Sequence, residues 1–160
     1  MLNPKSEIRN PKKIKNPHNV KILRIIDANL NRTREGLRVC EDILRFTLPG
    51  SPVINLLKTY RHSATRSILD SRRLELSGLV DSRDVKKDLS KFNDFKRPGN
   101  GDLRAVFMTN IERVKESLRV LEECCKIIDE TVSRKYRKLR FKVYEAEKKY
   151  NDTVRIREIK

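Results

Sequence analysis

The chain carries one fourteen-residue segment twice. Residues 29–42 read NLNRTREGLRVCED and residues 110–123 read NIERVKESLRVLEE, a gap-free offset of 81. Seven positions are identical: Asn29/Asn110, Arg32/Arg113, Glu35/Glu116, Leu37/Leu118, Arg38/Arg119, Val39/Val120 and Glu41/Glu122. Five of the seven are polar. A repeat that only built a core would keep its apolar residues and let the polar ones drift. The chain is therefore read as two copies of one helical unit whose Asn, Arg and Glu side chains need a structural or chemical explanation.

Punctuation along the chain places the helices. Three Asn-Pro steps (Asn3-Pro4, Asn10-Pro11, Asn16-Pro17) hold the basic N-terminus out of helical geometry, so residues 1–21 read as a disordered tail. A first helix is predicted from about Leu23 to Phe46, ended by Pro49-Gly50. Ser51-Pro52 is a cap followed by Pro at the first helical position, and opens a second helix reaching about Asp70. A polar connection, 77–101, holds DSRDVKKD and the turn Pro98-Gly99-Asn100-Gly101. Asp102 caps a third helix, Leu103 to Ile128. A fourth runs from Val132 beyond Tyr150, with Tyr136, Leu139, Val143, Ala146 and Tyr150 as a coiled-coil-like seam.

The expected fold is all-α. Two antiparallel hairpins, about 23–70 and 102–152, form a four-helix bundle-like domain with an internal pseudo-twofold and a long loop between the halves. With the offset reduced to 79, Arg61 matches Arg140 and Lys58 matches Arg137, so the repeat extends over whole hairpins.

Composition agrees. With 37% apolar and 38% charged residues and 160 residues in all, a single core must come from amphipathic stripes. No apolar run approaches the roughly 20 residues of a membrane span, and the N-terminus lacks the apolar block of a secretory signal. A cytoplasmic protein is expected. Cys40, Cys124 and Cys125 are too few for a disulfide framework and are expected buried and inert. The net charge of +16 suits nucleic acid, an anionic membrane or phosphorylated small molecules. With 6% aromatic residues there is no stacking platform, which weakens the nucleic-acid reading.

On a helical wheel centred on Asn29, Asn29 and Arg32 fall on the inward side of the first helix, as Asn110 and Arg113 do on the third. Arg38, Arg119, Glu41 and Glu122 then read as surface pairs. Two explanations of the inward set stay open: a reciprocal lock across the pseudo-twofold, neutralised by Glu35 and Glu116, or a cavity whose guanidiniums grip an anion. Arg61, His62 and Arg140 are placed to join such a site, with His62 as a candidate acid or base. Asp81, Asp84 and Asp88 share one helical face if that loop is helical, and three such carboxylates suit Mg2+ with a phosphate substrate. The competing reading is a solvated loop balanced by Arg83, Lys86 and Lys87. P-loop, dinucleotide-binding and nucleophile-elbow motifs are absent from the sequence.

Residues 24–46, RIIDANLNRTREGLRVCEDILRF, followed by Arg61-His62, SRDVKKD and NIERVKESLRVLEE, resemble in order the helical domain fused to the N-terminus of thiamine-phosphate synthase in some bacteria. That resemblance implies a thiamine-biosynthesis role, with proposed phosphorylation of hydroxymethylpyrimidine phosphate and therefore ATP and Mg2+. It directs attention to Asn29, Arg32, Glu35, Arg61, Arg83, Asp84, Asp88, Asn110, Arg113 and Glu116 as binding positions; the separate roles are read from the residues themselves, with Asp84 and Asp88 as candidates for metal and catalysis beside His62. The synthase barrel is missing from this chain, so action in trans with a separate synthase is one expectation. A helical interaction module dimerising through the fourth-helix seam is another.

Overall fold

The computed structural model describes residues 17–84 and 102–158. Five helices follow one another: α1 (Pro17–Thr47), α2 (Pro52–Leu69), α3 (Leu76–Asp81), α4 (Leu103–Ile128) and α5 (Glu130–Glu158). The described residues are all-α, without strands.

Local chemistry sets the helix ends. Gly50, at φ 83°, turns the chain after α1 in a conformation that side-chain-bearing residues rarely adopt. Ser51 then caps α2, its hydroxyl accepting from the Val53 amide, with Pro52 opening the helix. Asp102 caps α4 by accepting from the Arg104 amide. A single residue, Asp129, separates α4 from α5, and its Oδ1 accepts from the amides of Thr131 and Val132.

Two boundaries differ from the sequence reading. α1 begins at Pro17 rather than near Leu23, because a proline costs nothing in a first helical turn, where no amide has a partner. Residues 1–16 of the expected tail lie outside the described residues. The expected 77–101 loop begins with α3, whose Leu79 is buried, as is the preceding Leu74; its residues 85–101 lie outside the described part.

The hairpins pack as α1 on α2 and α4 on α5. Between them, α1 lies along α4 and α2 along α5, while α3 leans on α1. Gly36 permits the closest approach of α1 to α4. A methyl group at its Cα would stand 2.7 Å from Val114 Cγ2 and 3.2 Å from the Asn110 carbonyl oxygen. Farther along, the Cys40 thiol donates to the Phe107 carbonyl at 3.5 Å. Rising numbers on α1 thus meet falling numbers on α4, so the two copies of the repeat run antiparallel across their contact.

One core joins all five helices. The seam predicted on the fourth long helix is consumed there: Tyr136, Leu139, Val143, Ala146 and Tyr150 are buried within the chain. Dimerisation through that seam is thereby corrected. Tyr136 shows the depth of the packing, since its hydroxyl donates to the Ala64 carbonyl at 3.0 Å and burial holds it well above the ordinary tyrosine range. Cys40 and Cys125 are buried, and burial pushes both thiols up to about 12, which makes them inert packing residues. None of the described helices is long and apolar enough to cross a membrane.

Candidate functional site

The repeated polar residues resolve into two matching ion clusters. On α1 the Glu41 side chain is 1% exposed and meets Arg45 at 2.9 Å, Arg61 of α2 at 3.2 Å and Arg38 at 3.5 Å. On α4 the Glu122 side chain is 3% exposed and meets Arg140 of α5 at 2.9 Å and Arg119 at 3.1 Å. Each buried carboxylate thus joins the two helices of its own hairpin. A carboxylate this deep is tolerated only when charged donors replace the lost water. Burial draws the Arg140 guanidinium down, but Glu122 and the Tyr144 hydroxyl outweigh it and hold Arg140 above its ordinary value.

This overturns the wheel assignment. The buried side chains of α1 include Ile26, Leu30, Leu37 and Leu44. They centre the core about 60° away from Asn29 at about 100° per residue. That rotation carries Glu41 into the interior and Arg32 out of it. Arg32 and Arg113 are both exposed, and neither has an ion-pair partner among the described residues. Asn29 is buried and Asn110 half-buried, yet each spends its amide on its own helix, donating to the Ile25 and Val106 carbonyls at 2.8 Å. The inward Asn–Arg cavity and the reciprocal lock are both corrected. Glu35 and Glu116 are exposed.

A second joint brings two distant segments together. Arg83, just past α3, donates through Nε to Asp27 Oδ2 at 2.6 Å and through Nη2 to Asp27 Oδ1 at 2.8 Å. Hydrogen bonding to Asp27 raises the Arg83 guanidinium above its ordinary value. Nearby, Arg24 reaches the Asp84 carbonyl oxygen at 3.5 Å. The D-A-N start of the first motif is therefore a neighbour of Arg83 and Asp84. Asp27 was not among the expected site residues; its signal was a lone acid directly after the apolar pair Ile25-Ile26.

Other expected residues are placed as follows. Arg61 sits on Glu41 and is engaged there. His62 is exposed on α2, Asp81 is exposed at the end of α3, and Asp84 is half-buried. Asp88 lies outside the described residues. Among the described residues no group of three His, Cys, Asp or Glu side chains is arranged to hold a metal ion.

Against the second ion cluster lies a shallow open cavity of about 560 Å3, lined by Glu112, Lys115, Glu116, Arg119, Arg140 and Tyr144. Lys115 is held between Glu112 and Glu147; burial draws its ammonium down, but these two carboxylates hold it above the usual value. On α1, Asp27, Asn31, Arg34 and Arg38 follow one another at helical spacing and form a polar stripe. It extends from the Arg83 joint to the Glu41 cluster, over about 16 Å at 1.5 Å per residue.

Residues 24–149 match the model of the ThiD2 family. A thiamine-phosphate synthase of Prochlorococcus marinus subsp. pastoris is 33% identical over 140 residues, covering 88% of this chain and 38% of that protein. A thiamine-phosphate synthase of Synechocystis is 35% identical over 127 residues, or 79% of this chain and 35% of that protein. One from Rhodopirellula baltica is 33% identical over 124 residues, or 77% and 32%. The chain thus spans little more than a third of the length of these relatives. No solved structure matches the chain significantly.

Proposed function

The chain belongs to the ThiD2 family, and from that membership we propose that it serves thiamine biosynthesis by binding hydroxymethylpyrimidine phosphate and phosphorylating it. The observation that carries the reading is the Asp27–Arg83 joint. It seats Arg83 beside the polar stripe of α1, so residues from two of the motifs on which the resemblance rests lie together. The stripe carries the exposed Arg34, and guanidinium is suited to phosphate oxygens.

In the proposed reaction a phosphate oxygen of the bound ester attacks the γ-phosphorus of ATP. The bond from that phosphorus to the β–γ bridging oxygen breaks, ADP leaves, and the ester becomes a diphosphate. Mg2+ would accompany ATP as its usual counter-ion. Asp81 and Asp84 supply two carboxylates near the joint, and no third protein ligand joins them among the described residues. Accordingly no step is routed through protein-bound metal, and the chain's own part is to bind and orient the anion. A thiamine-phosphate synthase would consume the product, since the relatives that carry that name are more than twice as long as this chain and match it over about a third of their length.

The test is direct. Purified chain is incubated with hydroxymethylpyrimidine phosphate and Mg-ATP and followed by phosphorus NMR. Appearance of the ester's diphosphate with ADP supports the proposal. Calorimetric binding without turnover would reduce it to a binding domain, and neither signal at millimolar ligand would dispose of it.

A further inference from the structure

The duplication provides an internal control for where an anion can bind. Positions on α1 and α4 correspond at an offset of 81, and those on α2 and α5 at 79. Burial supports this register: Val53/Val132, Leu57/Tyr136, Tyr60/Leu139, Ala64/Val143 and Ser67/Ala146 are buried in both copies. So does chemistry, because Glu41–Arg61 and Glu122–Arg140 are the same ion pair.

In the second hairpin Lys115 is one of the cations lining the cavity, and Glu112 of α4 and Glu147 of α5 both neutralise it. Its counterpart in the first hairpin is Arg34. The counterpart of Glu112 is Asn31, and that of Glu147 is Ile68, which is fully buried. Both quenching carboxylates are therefore absent from the first copy. Arg34 is exposed and has no acidic partner among the described residues. The carboxylate left beside it is Glu35, whose copy Glu116 also lines the second cavity. Tyr144, which narrows that cavity, is matched by the smaller Thr65. The two halves keep one scaffold and differ in whether the cation at this position is already satisfied.

We infer that the phosphate group of the ligand binds on the first hairpin, at Arg34 with Asn31 donating beside it, and that the second hairpin is a charge-quenched copy that does not bind it. This rests on the proposed function for the identity of the ligand but not for the location of the anion site.

The experiment titrates the full chain at low salt with two probes, hydroxymethylpyrimidine phosphate and inorganic pyrophosphate. Three variants are compared with the parent: Arg34→Gln, Asn31→Glu and Lys115→Gln. Asn31→Glu installs on the first hairpin the acid that quenches the second. Charged hydrogen bonds of this type set the expected loss at about tenfold or more for the first two variants, with less than about twofold for Lys115→Gln. Retained affinity in Arg34→Gln, or a loss confined to Lys115→Gln, overturns the inference. Pyrophosphate binding that depends on Arg34, without binding of the pyrimidine ester, upholds the anion site and removes the proposed substrate. Binding of neither probe overturns both. Arg34 is exposed, Asn31 half-buried and the Lys115 side chain 12% exposed, and circular dichroism checks that each variant folds.

Discussion

Arg83 closes a two-point ion pair on Asp27 across 56 residues of chain, with both contacts under 3 Å. The Asp27 side chain is 10% exposed and that of Arg83 43% exposed, so the pair straddles the edge of the core. Removing the arginine leaves a largely buried carboxylate short of donors. Arg83→Ala is expected to cost about 1–2 kcal/mol, the lower part of the usual range because solvent screens the exposed partner. Lysine should restore only part of this, since it cannot make the two-point contact. Urea unfolding gives the energy, and amide exchange over residues 76–82 gives the location. Unchanged exchange in Arg83→Ala would show that the pair does not anchor α3.

The two ion clusters should respond unequally to the same deletion. Without Arg61, Glu41 still has Arg38 and Arg45. Without Arg140, Glu122 retains Arg119 among the described residues. Arg140→Ala is therefore expected to cost about 2–4 kcal/mol, and Arg61→Ala about half of that. Arg119→Ala, whose side chain is 55% exposed, should cost under about 1 kcal/mol. Thermal and urea denaturation of the three variants test the ranking. Equal losses at Arg61 and Arg140 would mean that the extra arginines around Glu41 contribute nothing.

Thr33 is the buried polar group that lacks a partner among the described residues: its hydroxyl oxygen is sealed in the core without a hydrogen bond. Its copy in the second half is Val114. Thr33→Val should stabilise the fold by about 1 kcal/mol, because it removes an unsatisfied hydroxyl and keeps the volume. A higher denaturation midpoint is the expected reading. A lower one would mean that the hydroxyl has a use that the present geometry does not reveal.

Acid stability should depend on Asp129. Burial raises its carboxyl, but the Ser71 hydroxyl, the Val132 and Thr131 amides and the Arg73 charge outweigh this and hold it below its ordinary value of 3.8. A carboxylate depressed in the folded state stabilises fully above its unfolded value, and that contribution is lost as pH falls through the folded value. The window thus lies below about pH 4. Asp129→Asn keeps a capping oxygen, so it should lose less than about 1 kcal/mol near neutrality and show a flatter stability–pH curve in that window. Parallel curves for variant and parent would contradict the assignment.

Much of the fold was legible because proline, glycine and capping residues fix helix ends by local chemistry. Pro49-Gly50, Ser51-Pro52 and Asp102 each act within a few residues of themselves. The α3 helix escaped notice because its six residues, LSGLVD, carry neither a side-chain cap nor a full period. The repeated polar residues were read with the wrong rotation. Asn29 drew the wheel towards itself, whereas Leu30 and Leu37, with their copies Ile111 and Leu118, mark the true centre of burial. Glu41 looked like a surface partner because its arginines lie three and four residues away, and its third partner, Arg61, comes from another helix. The Asp27–Arg83 contact spans too much sequence for any periodicity to show it.

The most direct test of the account is an amide chemical-shift map of isotope-labelled chain titrated with hydroxymethylpyrimidine phosphate. The account predicts saturable shifts along the α1 stripe and its joint, at Asp27, Asn31, Arg34 and Arg83. It predicts none of comparable size at Glu112 and Lys115. Shifts centred on the α4–α5 cavity, or no saturable shifts at millimolar ligand, would contradict it.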